Sequence, residues 1–189
     1  NQLYSKMATF IEQVRPKIFL FENVKGILSG KWTSEGSKGE IWADVRARFR
    51  QIPGYQVRWS LVHAKDYGVP QNRPRVLLVG IRDDIVLSAG LDVEASIEGA
   101  IATGFLPKPT GGAPHPEELL SDLIDPKVTK ALLTQTFPPD FATRKYPKDA
   151  MTEIQRRLRT LPDGTLMSKG HEVTEHEYSK HSAKIVNKF

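Results

Sequence analysis

The sequence predicts an α/β fold: part of a mixed sheet with an antiparallel hairpin, followed by an irregular, helix-rich region. Three observations carry this prediction. Apolar residues at helical spacing near the N-terminus run straight into a short apolar stretch, Lys17 to Phe21, the helix-then-strand rhythm of a βαβ fold. Two further strand patterns, Tyr55 to His63 and Val76 to Ile81, stand too close together for a helical crossover and should pair as a broad-looped hairpin. Beyond Arg82 the texture changes, and glycine and proline crowd Gly99 to Pro116, which points to a boundary between Leu91 and Pro109.

Leu3, Met7, Phe10, Ile11 and Val14 recur at three and four residues and should form a helix that ends before Pro16, its apolar face covering the sheet. Lys17 to Phe21 is too short for a helix and rich in aromatic and branched residues, which fits a parallel strand buried on both faces. Ser29 to Gly39 is loaded with glycine, serine and lysine and reads as a flexible loop, a connector or a mobile lid. Helical periodicity returns through Ile41, Trp42, Val45, Phe49 and Ile52, then stops at Pro53 and Gly54. Tyr55 to His63 alternates, with Val57, Trp59 and Leu61 on one face. Later, Leu119, Leu120, Leu123, Val128 and Leu132 sketch short helices. Met151, Ile154, Leu158 and Leu161 sketch another, with Arg156, Arg157 and Arg159 on its outer face.

Composition narrows the function classes. A chain of 189 residues can hold a core of its own, and its formal charge of +5 suits a polyanionic partner. With no cysteine, disulfides, thiolate metal sites and a thiol nucleophile within this chain are excluded. No apolar run is long enough to span a membrane and no signal peptide is evident, so a cytoplasmic protein is expected. The chain starts without methionine and stops on Ile185, Val186 and Phe189, as a segment of a larger polypeptide would.

Two clusters could carry chemistry. Glu22 follows an apolar strand, and the carboxyl edge of an open α/β sheet is where ligands and catalytic side chains gather; a helix cap or loop acid is the plainer alternative. Gln71, Asn72, Arg73, Pro74 and Arg75 lead into the last apolar run. If extended, they place Gln71, Arg73 and Arg75 on one face, and Pro74 favours that form. An acid facing two arginines could be a structural ion pair or a substrate clamp. His171, His176 and His181 fall five apart, a spacing that aligns no ligands on one helical face, and no metal is expected. Arg144, Lys145 and Lys148 beside Tyr146 are candidates for phosphate contact.

Together these residues resemble the DNA cytosine-5 methyltransferases. Glu22, Asn23 and Val24 are similar to that family's E-N-V motif. Gln71, Arg73 and Arg75 are similar to its Q-x-R-x-R motif, approached through Asp66, Tyr67, Gly68, Val69 and Pro70. Asn1 to Tyr4 resembles the tail of the preceding motif. The likeness covers roughly the first 85 residues, so residues 1–90 are expected to be the second half of a Rossmann-like catalytic domain. Residues 91–189 would then be a linker and the beginning of the target recognition region.

The resemblance implies S-adenosyl-L-methionine as cofactor, duplex DNA as partner and a cytosine flipped out of the stack. Glu22 would donate to N3 and accept from the 4-amino group, in a site that favours its protonated form. Arg75 would hold O2, Arg73 would orient the site or meet backbone phosphate, and Gln71 would brace the loop. Asn23 and Val24 would shape the pocket wall. The family's Pro-Cys nucleophile and glycine-rich cofactor loop would lie upstream of Asn1, so the remainder of its own polypeptide is an expected partner and the chain alone is expected to be inactive. Gln135 to Pro139 offers only a passing similarity to the segment that follows the recognition region. Methylation of cytosine in RNA, or a noncatalytic nucleic-acid-binding module, are the alternatives.

Overall fold

Leu3–Val14 forms helix α1, ended by a backbone that cannot continue. Pro16 disfavours the helical region for the residue before it, and Arg15 takes a φ of 53° while its N–H donates to the Ile11 carbonyl at 2.9 Å. The chain then extends into strand β1 (Ile18–Val24), crosses through helix α2 (Glu40–Arg50), and builds strands β2 (Tyr55–His63) and β3 (Pro74–Arg82) before helix α3 (Asp83–Ser88). The computed structural model describes residues 3–91 and 99–187, and the chain divides into two compact units, Asn1–Ala113 and Pro114–Phe189. Residues 92–98, which adjoin the boundary expected at 90/91, lie outside the described residues, as do Asn1, Gln2, Lys188 and Phe189.

The sheet of the first unit has three strands in the order β1-β3-β2, with both pairings antiparallel. The hairpin expectation for β2 and β3 holds, and the parallel pairing expected of β1 is corrected. The short β2–β3 connection brings β3 back beside β2, and the remaining edge of β3 takes β1. As a result β1 and β2 run in the same direction with β3 between them, a split βαβ arrangement.

One face of this sheet carries the core. Phe19 and Phe21 from β1 pack with Ala8, Ile11, Trp42, Val45, Phe49 and Val57. The Phe49 ring is fully buried, with centroids 5.6 Å from Phe19 and 5.2 Å from Phe21. Burying each such ring contributes about 1.5–3 kcal/mol. Gly80, paired with Phe19, makes this possible, because a Cβ there would lie 2.1 Å from the Phe19 ring. The opposite face is covered only in part, by Val86, Ala100 and Phe105 over Val79 and Ile81.

Over β1 that second face is uncovered: Ile18, Leu20 and Val24 are each more than half exposed. The expected burial on both faces is therefore corrected to burial on one, since no described element packs over β1 on that side. Helix α1 is corrected likewise. Ala8 and Ile11 are buried, whereas Leu3, Phe10 and Val14 face outward.

The second unit contains short helices α4 (Pro116–Leu120), α5 (Pro126–Thr134), α6 (Glu153–Arg159) and α7 (Ala183–Val186). Asp125 caps α5 by accepting from Lys127 N at 2.9 Å, and Thr152 with Gln155 forms a capping box at the start of α6. Val128, Ala131 and Phe141 form a small core. Helix α6 reverses its expected polarity: Arg159 and Gln155 are buried while Leu158 is exposed. Arg159 Nε lies 3.0 Å from Asp122 Oδ2, both side chains nearly fully buried, though its N–H is not aligned for a hydrogen bond. Its Nη2 donates to the Lys148 carbonyl at 2.9 Å, and its guanidinium carbon sits 3.6 Å from the centre of the Tyr146 ring. Apolar periodicity could not anticipate an arginine with this many partners.

Candidate functional site

In the β1–β3 register Glu22 lies opposite Leu77 and Val24 opposite Arg75, so Glu22 and Arg75 are diagonal neighbours on one face of the sheet. Arg75 Nε meets Glu22 Oε1 at 2.5 Å. The arginine is anchored further by an Nη1 bond to the Pro74 carbonyl at 2.8 Å. Its side chain is 19% exposed and that of Glu22 52%, so the acid stays open to an incoming molecule while the guanidinium is held. At this exposure the pair adds about 0–1 kcal/mol to stability, and its main effect is to orient two charged groups.

Glu22 sits inside β1 rather than beyond its end, because the strand continues through Asn23 and Val24. Asn23 points to the opposite face, where its Oδ1 accepts from Val24 N at 2.9 Å. Val24 shares the face of Glu22 and is exposed. Gln71 and Arg73 do not join the pair. Their backbone is folded into two tight turns, Gln71 N to Val69 O at 2.7 Å and Arg73 N to Gln71 O at 3.0 Å. The extended period-two geometry therefore starts only at Pro74, and both side chains before it are exposed.

A cavity of about 290 Å³ lies beside the pair, lined by Val62, Ala64, Tyr67, Leu77, Leu106 and Pro107. Leu77 is the strand partner of Glu22, and Val62 is that of Arg75. Apart from Tyr67, which belongs to the approach to the second motif, none of these residues stands out in the sequence. The alternation of β2 was the available signal, since it places Val62 on the face opposite to Leu61.

The glycine-rich loop after β1 is pinned in place. Trp32 Nε1 donates to Asp44 Oδ2 at 2.7 Å, and its ring stacks on Tyr4. Glu40 accepts from the backbone N–H groups of Trp32 and Ser37. A connector is the better description than a mobile lid. In the second unit, Arg144 is bound by Asp140 and Glu177, at 2.7 and 2.8 Å, and these hydrogen bonds raise its pKa. Lys148 donates to the Ser121 carbonyl at 3.2 Å. Lys145 is exposed, and its backbone bridges to that of Glu172.

The chain matches the family described as C-5 cytosine-specific DNA methylase over residues 1–188. It is 44% identical over 85 residues to type II methyltransferase M.BspRI of Lysinibacillus sphaericus, covering 45% of this chain and 18% of that protein. It is 39% identical over 88 residues to type II methyltransferase M.FnuDI of Fusobacterium nucleatum, covering 47% and 24%. The chain thus spans about a fifth of the length of these relatives. A solved E. coli prophage protein described as a DNA modification methyltransferase aligns with a TM-score of 0.35 and 26% identity, over 49% of this chain and 24% of its own. The match across nearly the whole sequence shows that the chain belongs to the C-5 cytosine-specific DNA methylase family.

Proposed function

We propose that this chain supplies half of the base pocket of an S-adenosyl-L-methionine-dependent DNA cytosine-5 methyltransferase. In this reading the enzyme acts in the cytoplasm on cytosine flipped from duplex DNA. The observation that carries the proposal is the Glu22–Arg75 contact, which joins the two motifs across neighbouring strands. As an acid, the Glu22 carboxyl group donates to N3 of the base and accepts from its 4-amino group, a pattern that fits cytosine and rejects thymine. Arg75 turns its guanidinium to O2, where negative charge develops when a nucleophile adds to C6. Arg73, exposed on the approach loop, meets backbone phosphate, and Gln71 braces the loop. Asn23 and Val24 shape the end of the strand.

The residues described here do not fit the methyl donor. The cavity beside the pair is apolar, with no acid among its described lining residues to take ribose hydroxyls or an ammonium group. The donor's site and the cysteine nucleophile are assigned to the remainder of the polypeptide, because this chain has no cysteine. The test is methyl transfer to duplex DNA. This chain alone should be inactive and should gain activity when mixed with the N-terminal half of its parent. In the full-length polypeptide Glu22→Gln should cut kcat by about 100-fold or more with DNA binding retained. Methyl transfer by the isolated chain, or an undiminished Glu22→Gln enzyme, would overturn the reading. RNA that competes better than duplex DNA would shift the substrate class.

A further inference from the structure

The loop between β2 and β3 delivers Arg75 to its strand, and it is held at three points. Ala64 N–H donates to the Arg73 carbonyl at 3.3 Å and closes the base of the loop. Gly111 N–H donates to the Asp66 carbonyl at 2.8 Å. The Tyr67 hydroxyl donates to the Pro107 carbonyl at 2.9 Å. The last two contacts tie the loop to a strap, residues 107–111, stiffened by Pro107 and Pro109. Tyr67 also lines the cavity with Val62 and Leu77, the residues directly opposite Arg75 and Glu22 in the sheet. Burial pushes the Tyr67 phenol up from its ordinary range, so its hydroxyl remains a donor at neutral pH.

We propose that Tyr67 is a positioning residue: by latching the β2–β3 loop to the 107–111 strap, it holds Arg75 at the angle that meets Glu22. The ring forms one wall of the cavity beneath the pair and the hydroxyl fixes that wall to the strap. Arg75 therefore inherits its direction from a bond in the wall of the neighbouring cavity, between Tyr67 and Pro107. The inference rests on the functional reading only for its consequence in catalysis, because the latch itself is the contact between Tyr67 and Pro107.

The test uses this chain as it stands, labelled at arginine with nitrogen-15. The Arg75 Nε–H resonance is assigned by its loss in Arg75→Lys and by its shift in Glu22→Gln. Tyr67→Phe removes the hydroxyl and keeps the ring. In that variant exchange of the Arg75 Nε–H with water should accelerate about fivefold, the population change expected from losing one hydrogen bond of average net strength. Backbone amides of Val76 and Leu78 should keep their protection. An unchanged exchange rate overturns the latch, and so does an acceleration shared equally by those core amides, which would mean general loosening. In the full-length polypeptide, Tyr67→Phe should lower kcat about fivefold with the KM for DNA unchanged, and an unaltered kcat also overturns the positioning role. A full-length polypeptide of natural sequence that transfers no methyl group would overturn the functional reading instead, while the exchange comparison still decides the latch.

Discussion

The buried pair of Arg159 and Asp122 makes the sharpest prediction about stability. Both side chains are almost fully enclosed, and the guanidinium also serves the carbonyls of Lys148 and Met167 and the face of Tyr146. Arg159→Ala leaves Asp122 as an uncompensated buried charge and frees two carbonyls, a loss of about 3–5 kcal/mol. For a unit the size of Pro114–Phe189 that is a large share of the total at about 0.05–0.15 kcal/mol per residue. Amide exchange in α5 and α6, followed by mass spectrometry, should accelerate at least ~100-fold, since each 1.4 kcal/mol is a factor of about ten. All three tryptophans lie in the first unit, so tryptophan fluorescence monitors that unit separately and its melting should be little altered. Replacing both partners, Arg159→Met with Asp122→Leu, should recover most of the loss, because two well-packed apolar groups need no desolvation. An Arg159→Ala protein whose α6 amides exchange as in the natural sequence would refute the reasoning.

Other outcomes follow from contacts of the same kind. Gly80→Ala drives a Cβ into the Phe19 ring and should cost about 1–3 kcal/mol in urea unfolding; a variant as stable as the natural protein would mean that β1 can shift freely. Phe49→Ala empties the centre of the first core and should cost about 3–5 kcal/mol, read as an earlier loss of tryptophan fluorescence. Arg144 hydrogen-bonded to Asp140, and Arg48 hydrogen-bonded to Glu12, hold those carboxyls below the usual range. Their contribution to stability is thus complete above the unfolded carboxylate pKa and fades as pH falls through the lower folded value. Asp140→Asn and Glu12→Gln together should flatten the acid limb of a plot of Tm against pH, and superimposable acid limbs would count against these pairs.

Much of the site was legible in the residues. Strand β2 runs over the span its alternation predicts, and the core face of α2 follows its periodicity, because both patterns are local and repeat with the geometry of the backbone. The residues raised an ion pair between Glu22 and the two arginines as one possibility, and the structure brings Glu22 together with Arg75. Arg73 and Gln71 were grouped with them on the assumption of an extended entry, which the tight turns at Val69 and Gln71 replace. Tyr67 was visible only as part of the approach to the motif, since its partner Pro107 stands forty residues further along.

The sequence by itself thus determined the order and type of the elements from α1 to β3, and the family, while α3 carried no signal that was read. These rest on side-chain period, turn residues and motif spacing, all read within short windows. Tertiary structure decided which face of β1 is covered, that β3 lies between β1 and β2, and that Arg159 turns inward to Asp122. Each of these depends on groups distant in sequence, and no local pattern records the free energy of meeting them.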